Sequence, residues 1–143
     1  MIVLDEQLLS YGVREPIARW YRGRVLAITQ LRPQTIIPDE AIPMLLRTAR
    51  RPTFVTINVA DFWQRLAPDP HFCVVCVAVP HTQALEVPTF VRRFLRLAPF
   101  RTQRQRLGTI ARLNRQYVQY YTTMPARLYR VAWSTRAEVQ TQV

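Results

Sequence analysis

Apolar and polar residues alternate on two rhythms along this chain. Four compact apolar blocks, Ile2-Val3-Leu4, Val25-Leu26-Ala27-Ile28, Thr53-Phe54-Val55-Thr56-Ile57 and Phe72-Cys73-Val74-Val75-Cys76-Val77-Ala78-Val79, are too short for helices and are rich in β-branched residues. They read as strands buried on both faces, the last being the clearest. Between them the spacing turns helical. Arg14 to Gly23 places Ile17, Trp20 and Tyr21 on one face, with Pro16 suited to the first turn and Gly23 to the position just past the end. Near Asp39 a second helix is expected: Asp39 is a good N-cap, while Pro43 disfavours helical geometry at Ile42 and points to a regular start at Pro43. Pro88 to Leu97 predicts a third, whose stripe of Phe90, Val91, Phe94, Leu95 and Ala98 lies opposite Arg92, Arg93 and Arg96. Strands alternating with helices predict an α/β fold around a mainly parallel sheet.

Beyond Pro99 the rhythm changes. Ile110 to Tyr121 and Leu128 to Trp133 read as strands that close or extend the sheet, with Tyr129, Val131 and Trp133 sharing a face. A length of 143 residues, 49% of them apolar, is that of a single domain with its own core, here with a basic, strand-rich extension over 101–143. The longest apolar run has eight residues, Phe72 to Val79, against the roughly 20 a membrane-spanning helix needs. With no basic start or long apolar stretch before Asp5, the N-terminus does not resemble a secretory signal, and a cytoplasmic protein is expected.

Charge sharpens the picture. Residues 1–86 carry nine Arg against eight acids, whereas residues 87–143 carry eleven Arg against Glu138 alone, so the net charge of +11 is concentrated in the C-terminal part. Every basic residue is Arg, which grips phosphate bidentately where Lys acts as a point charge. An Arg-only inventory also follows from a biased genome composition, but that bias does not remove the acids after Glu86. Arg92, Arg93, Arg96, Arg112 and Arg115 are the candidate nucleic-acid contacts, with Tyr117, Tyr120 and Tyr121 interleaved as stacking surfaces or as sheet packing.

The acids are placed as distinctively as the arginines. Asp5, Glu6, Asp39, Glu40 and Asp61 each follow an apolar run at a strand end or a helix start, with Asn58 beside the last. In an open α/β sheet such strand tips gather along one edge, where ligands bind. Like charges ~4 Å apart repel by about 4 kcal/mol at an effective dielectric of 20, so converging carboxylates call for a cation or for raised pKa values. Hard oxygen donors suit Mg²⁺ or Mn²⁺, whose characteristic chemistry at carboxylate clusters is phosphodiester hydrolysis.

Three short motifs in order, Val3-Leu4-Asp5-Glu6, Asp39-Glu40-Ala41-Ile42 and Thr56-Ile57-Asn58-Val59-Ala60-Asp61-Phe62, resemble those of the PIN-like domain family, in particular its compact prokaryotic branch. The resemblance covers roughly residues 1–100. It implies a three-layer α/β/α fold and an endoribonuclease using Mg²⁺ or Mn²⁺, often the toxin of a toxin–antitoxin pair. RNA and an antitoxin are then the implied partners, together with a homo-oligomer. By the same resemblance Asp5, Asp39 or Glu40, and Asp61 carry the catalytic metal, with Glu6 as a further ligand and Asn58 positioning a water. The family has Asp where this chain has Asn58, which weakens the implied site and leaves open a protein that kept the fold to bind nucleic acid or a partner without turnover.

Other chemistries find little support. Cys73 and Cys76 are three apart in a strand and so face opposite sides, which excludes a shared metal or a disulfide. His71 and His81 bracket the same strand as loop residues. Three glycines, at 12, 23 and 108, make no phosphate-binding loop.

Overall fold

The computed structural model describes residues 1–124, 127–133 and 139–142. Their strands form one eight-stranded sheet, ordered β2-β1-β3-β4-β5-β6-β7-β8. Strands β1 (Ile2–Leu4), β2 (Val25–Ala27), β3 (Thr53–Thr56), β4 (Cys73–Val77) and β5 (Ile110–Leu113) run parallel. Strands β6 (Tyr117–Tyr121), β7 (Leu128–Ala132) and β8 (Val139–Gln142) continue it as an antiparallel meander. The chain reverses after β5 because Asn114 makes a turn, its side-chain oxygen accepting from the backbone N–H groups of Gln116 and Tyr117 at 2.8 Å. Trp133 locks the turn by donating from Nε1 to the Asn114 carbonyl at 2.6 Å.

Alternation along the strands feeds two apolar layers. Ile2, Leu4, Val55, Cys73, Val75, Val77, Ala111 and Leu113 face one way and pack with helices α2 (Arg14–Trp20) and α5 (Val87–Arg96) through Ile17, Phe90, Val91 and Phe94. Val3, Phe54, Val74, Cys76 and Ile110 face the other way. There they meet α3 (Ile42–Thr48) and α4 (Val59–Phe62) through Ile42, Leu46 and Phe62. Helices thus cover both faces of a mostly parallel sheet, the layering of an α/β/α sandwich. Two further short helices, α1 (Glu6–Leu9) and α6 (Gln103–Arg106), sit at strand ends. Cys73 and Cys76 are both buried and lie in opposite layers, as their spacing requires.

Several boundaries differ from the expectation. The fourth strand is shorter, Cys73–Val77, because the chain turns at Val79 and Pro80 into a 3-10 segment at His81–Glu86. Ile28 leaves the second strand to open another 3-10 turn, Ile28–Gln30. Helix α2 stops at Trp20 with extended backbone at Tyr21, so Gly23 lies beyond its end instead of terminating it. Asp39 caps nothing: it begins a 3-10 turn, Asp39–Ala41, and α3 starts at Ile42, one residue before Pro43. Pro43 fits within the first helical turn, where its missing N–H costs no bond. The expected third helix is α5 in chain order. Its stripe ends at Leu97, Ala98 being exposed in a following turn.

Candidate functional site

Parallel register sets the site. Leu4 pairs with Ala27 on one side and Val55 on the other, so Asp5, next in the chain, lies beside the carboxyl end of β3. There its backbone N–H donates to the Val55 carbonyl at 2.9 Å, and Thr56 Oγ1 donates to its carboxylate Oδ2 at 2.6 Å. Asp5 is only 7% exposed. Thr56 Oγ1 in turn accepts from the Asn58 backbone N–H at 2.9 Å, tying the β1 acid to the loop that opens α4. Asn58 is the N-cap of that helix, its Oδ1 accepting from the Asp61 N–H at 3.3 Å. The same side chain donates from Nδ2 to Asp61 Oδ2 at 2.7 Å.

These groups meet. Asp5, Glu6, Gln7, Asp39, Asn58 and Asp61 line one cleft of about 270 Å³, floored by Ile28, Ile37 and Ile42. Ligand pockets run about 300–1,000 Å³, so this cleft suits an ion with a phosphate group better than a whole nucleotide. Electrostatics report the crowding. Burial pushes the Asp39 carboxyl up from its ordinary value, helped by the charge of Asp61, by a hydrogen bond to the Asp61 carboxyl and by the charge of Glu40. Asp5 is also raised, first by burial and further by the charges of Asp39 and Glu6, although Thr56 and the Glu6 N–H pull it down. In both acids burial is the larger cause, and the like charges of their neighbours add to it.

Of the sequence-predicted acids, Glu40 is the exception. It is exposed and does not line the cleft, so Asp39 is the acid its turn contributes. Among the described residues no three His, Cys, Asp or Glu side chains stand close enough to grip one ion as they are. The acids therefore surround a common space without being drawn onto a single point, and Asp61 is turned toward the Asn58 amide.

A second cleft continues the same edge and shares Gln7 and Asn58 with the first. Arg112 and His81 line it, and His81 Nδ1 is hydrogen-bonded to the Tyr11 hydroxyl at 2.8 Å. Of the five arginines expected to grip nucleic acid, Arg112 alone borders the carboxylates. Arg92, Arg93 and Arg96 project from the exposed face of α5 and line neither cleft. Arg92 lies over Trp20 and Arg93 over Trp133, with guanidinium carbons 5.8 and 4.5 Å from the rings. Arg115 is paired with Glu86 and Gln83. Of the tyrosines, Tyr120 is buried against Phe100 and Tyr129, and Tyr121 packs on Trp63 and bonds the Leu66 carbonyl, so both serve the core.

Gln7 lines the site and carries no signal of its own in the sequence, whereas Thr56 is marked there as the first residue of the third motif but not as the partner of Asp5. No family model, curated protein or solved structure matches this chain. Among the described residues no helix is long and apolar enough to cross a membrane.

Proposed function

We propose that this protein is a PIN-like, divalent-metal-dependent endoribonuclease whose reaction centre is the Asp5–Asp39–Asp61 cleft. The supporting observation is the convergence of carboxylates from three separate segments on one cleft at the carboxyl edge of the sheet, with two of them held above their ordinary pKa. The donor set is all oxygen and the crowded charge is of the sign a hard cation relieves, so the residues fit Mg²⁺ or Mn²⁺. Asp5, Asp39 and Asp61 would hold it, with Glu6 as a further donor. When bound, such an ion supplies Lewis acidity and charge neutralisation for phosphodiester hydrolysis.

The chain's own groups do the remainder. Thr56 fixes the orientation of the Asp5 carboxylate, and Asn58 fixes that of Asp61. Asp39, raised by burial and by the charge of Asp61, would be kept ionised by such a cation, which relieves the repulsion between the two carboxylates. Arg112, which lines the adjoining cleft and donates to Gln119 Oε1 at 3.4 Å, would offer its guanidinium to a neighbouring phosphate.

Cleavage of a labelled RNA with Mn²⁺, with Mg²⁺ and with EDTA tests the proposal on wild type and Asp5→Asn. Loss of one such electrostatic group typically costs at least about a hundredfold, which is the decrease expected for Asp5→Asn. Equal rates in both proteins overturn the assignment. One observation favours a second reading, a nucleic-acid-binding module without turnover: Asn58 both replaces a carboxylate and occupies Asp61. No cleavage by wild type in any metal, with RNA binding retained, decides for it.

A further inference from the structure

The opposite edge of the sheet carries the complementary charge. Arg24 immediately precedes β2, Arg50 and Arg51 precede β3, and Arg106 lies just before β5, so all four stand at the amino ends of the parallel strands. Two clefts open there and share Gln103. One is lined by Met1, Arg24, Arg50 and Arg51, the other by Trp20, Tyr21, Arg22, Arg101 and Arg106 among others. Among the described residues no carboxylate lines either. Asp69 precedes β4 at the same end of the strands, and its carboxylate is engaged by Arg47 and His71.

Arg106 is the informative member. It is 4% exposed, yet among the described residues its hydrogen-bond partners are neutral: Thr53 Oγ1 at 3.3 Å and the carbonyls of Phe100 and Arg101 at 2.9 and 3.2 Å. A guanidinium this deeply placed with only neutral partners among the described residues is costly, and its place in the cleft wall adds its charge to that of the exposed arginines around it. Arg22, Arg24, Arg50, Arg51 and Arg101 are exposed, and among the described residues none of them forms an ion pair.

We infer that this amino edge is a second site, which binds the phosphates of a single-stranded nucleic acid. Arginine throughout matches bidentate recognition of phosphate. Two joined clefts suit successive phosphates along a strand better than one small anion. The site does not rest on the cleavage reading, and it lies at the other end of the strands from the carboxylates.

Fluorescence anisotropy of a labelled 15-nucleotide oligouridylate, measured in EDTA across a salt series, tests it without any cleavage. For a single strand, log affinity falls with log salt by about 0.7 per phosphate contact, so replacing three arginines should flatten the slope by about 2. Arg24→Gln, Arg50→Gln and Arg51→Gln together are expected to weaken binding at least tenfold. The same three positions as Lys should keep most of the affinity. Unchanged binding by the triple Gln protein overturns the inference. So does displacement of the oligonucleotide by polyglutamate of equal length as readily as by unlabelled RNA, which would make the edge a dock for acidic protein segments.

Discussion

Asp5 illustrates how a single carboxyl can be set against the fold that carries it. Burial and the charges of Asp39 and Glu6 raise it, and the bonds from Thr56 and the Glu6 N–H only partly compensate. A raised carboxyl contributes stability while protonated, below the ordinary aspartate value of about 4, and that contribution is lost as pH rises through the raised value. Asp5→Asn keeps an acceptor for Thr56 and removes the charge. Its thermal midpoint by circular dichroism should exceed wild type at pH 7.5, with the gap closing as pH falls toward about 4. A midpoint at or below wild type at pH 7.5 would mean that the carboxylate's hydrogen bonds outweigh its burial. A stability gain here together with lost cleavage is the trade expected of a residue kept for chemistry.

Among the elements, the link from α6 into β5 depends on one backbone conformation. Gly108 has φ +85° and donates its N–H to the Phe72 carbonyl at 2.9 Å, fastening the start of β5 to that of β4. An added Cβ would meet Thr123 Cγ2 at 3.6 Å and Pro70 Cα at 3.9 Å, ordinary contacts, so the penalty for Ala is conformational. Gly108→Ala should lose about 1–2 kcal/mol, the cost of left-handed backbone for an L-residue, read as a lower urea midpoint at unchanged slope. An unchanged midpoint would show that the segment re-forms in another way. At this scale the sequence is legible where one signal dominates. The β-branched blocks gave the strands, and Phe90, Val91 and Phe94 gave α5. Ends were less legible, because Asp39, Ile42 and Gly23 obey local preferences that 3-10 turns and sheet packing override. The carboxylate cleft could be foreseen because acids at the ends of parallel strands have only one edge to occupy. The arginine edge could not, since Arg22, Arg24, Arg50 and Arg51 lie in the half of the chain whose net charge is near zero.

Across the whole molecule, the central strand measures global opening. Cys73 and Cys76 are fully buried, and burial pushes both thiols up to about 12. At neutral pH neither should react with a thiol reagent in the folded protein, and labelling should follow the rate of unfolding in denaturant. Stoichiometric labelling within seconds in native buffer would contradict the strand's place in the core. The distribution of charge acts at the same scale. Carboxylates at one end of the strands and guanidiniums at the other give the sheet a lengthwise electric moment superposed on its net +11. On a sulfonated resin or cleaved mica the protein should therefore adsorb in one preferred orientation, standing on its guanidinium rim. The acidic mouth would then point into the liquid and stay accessible to whatever flows past.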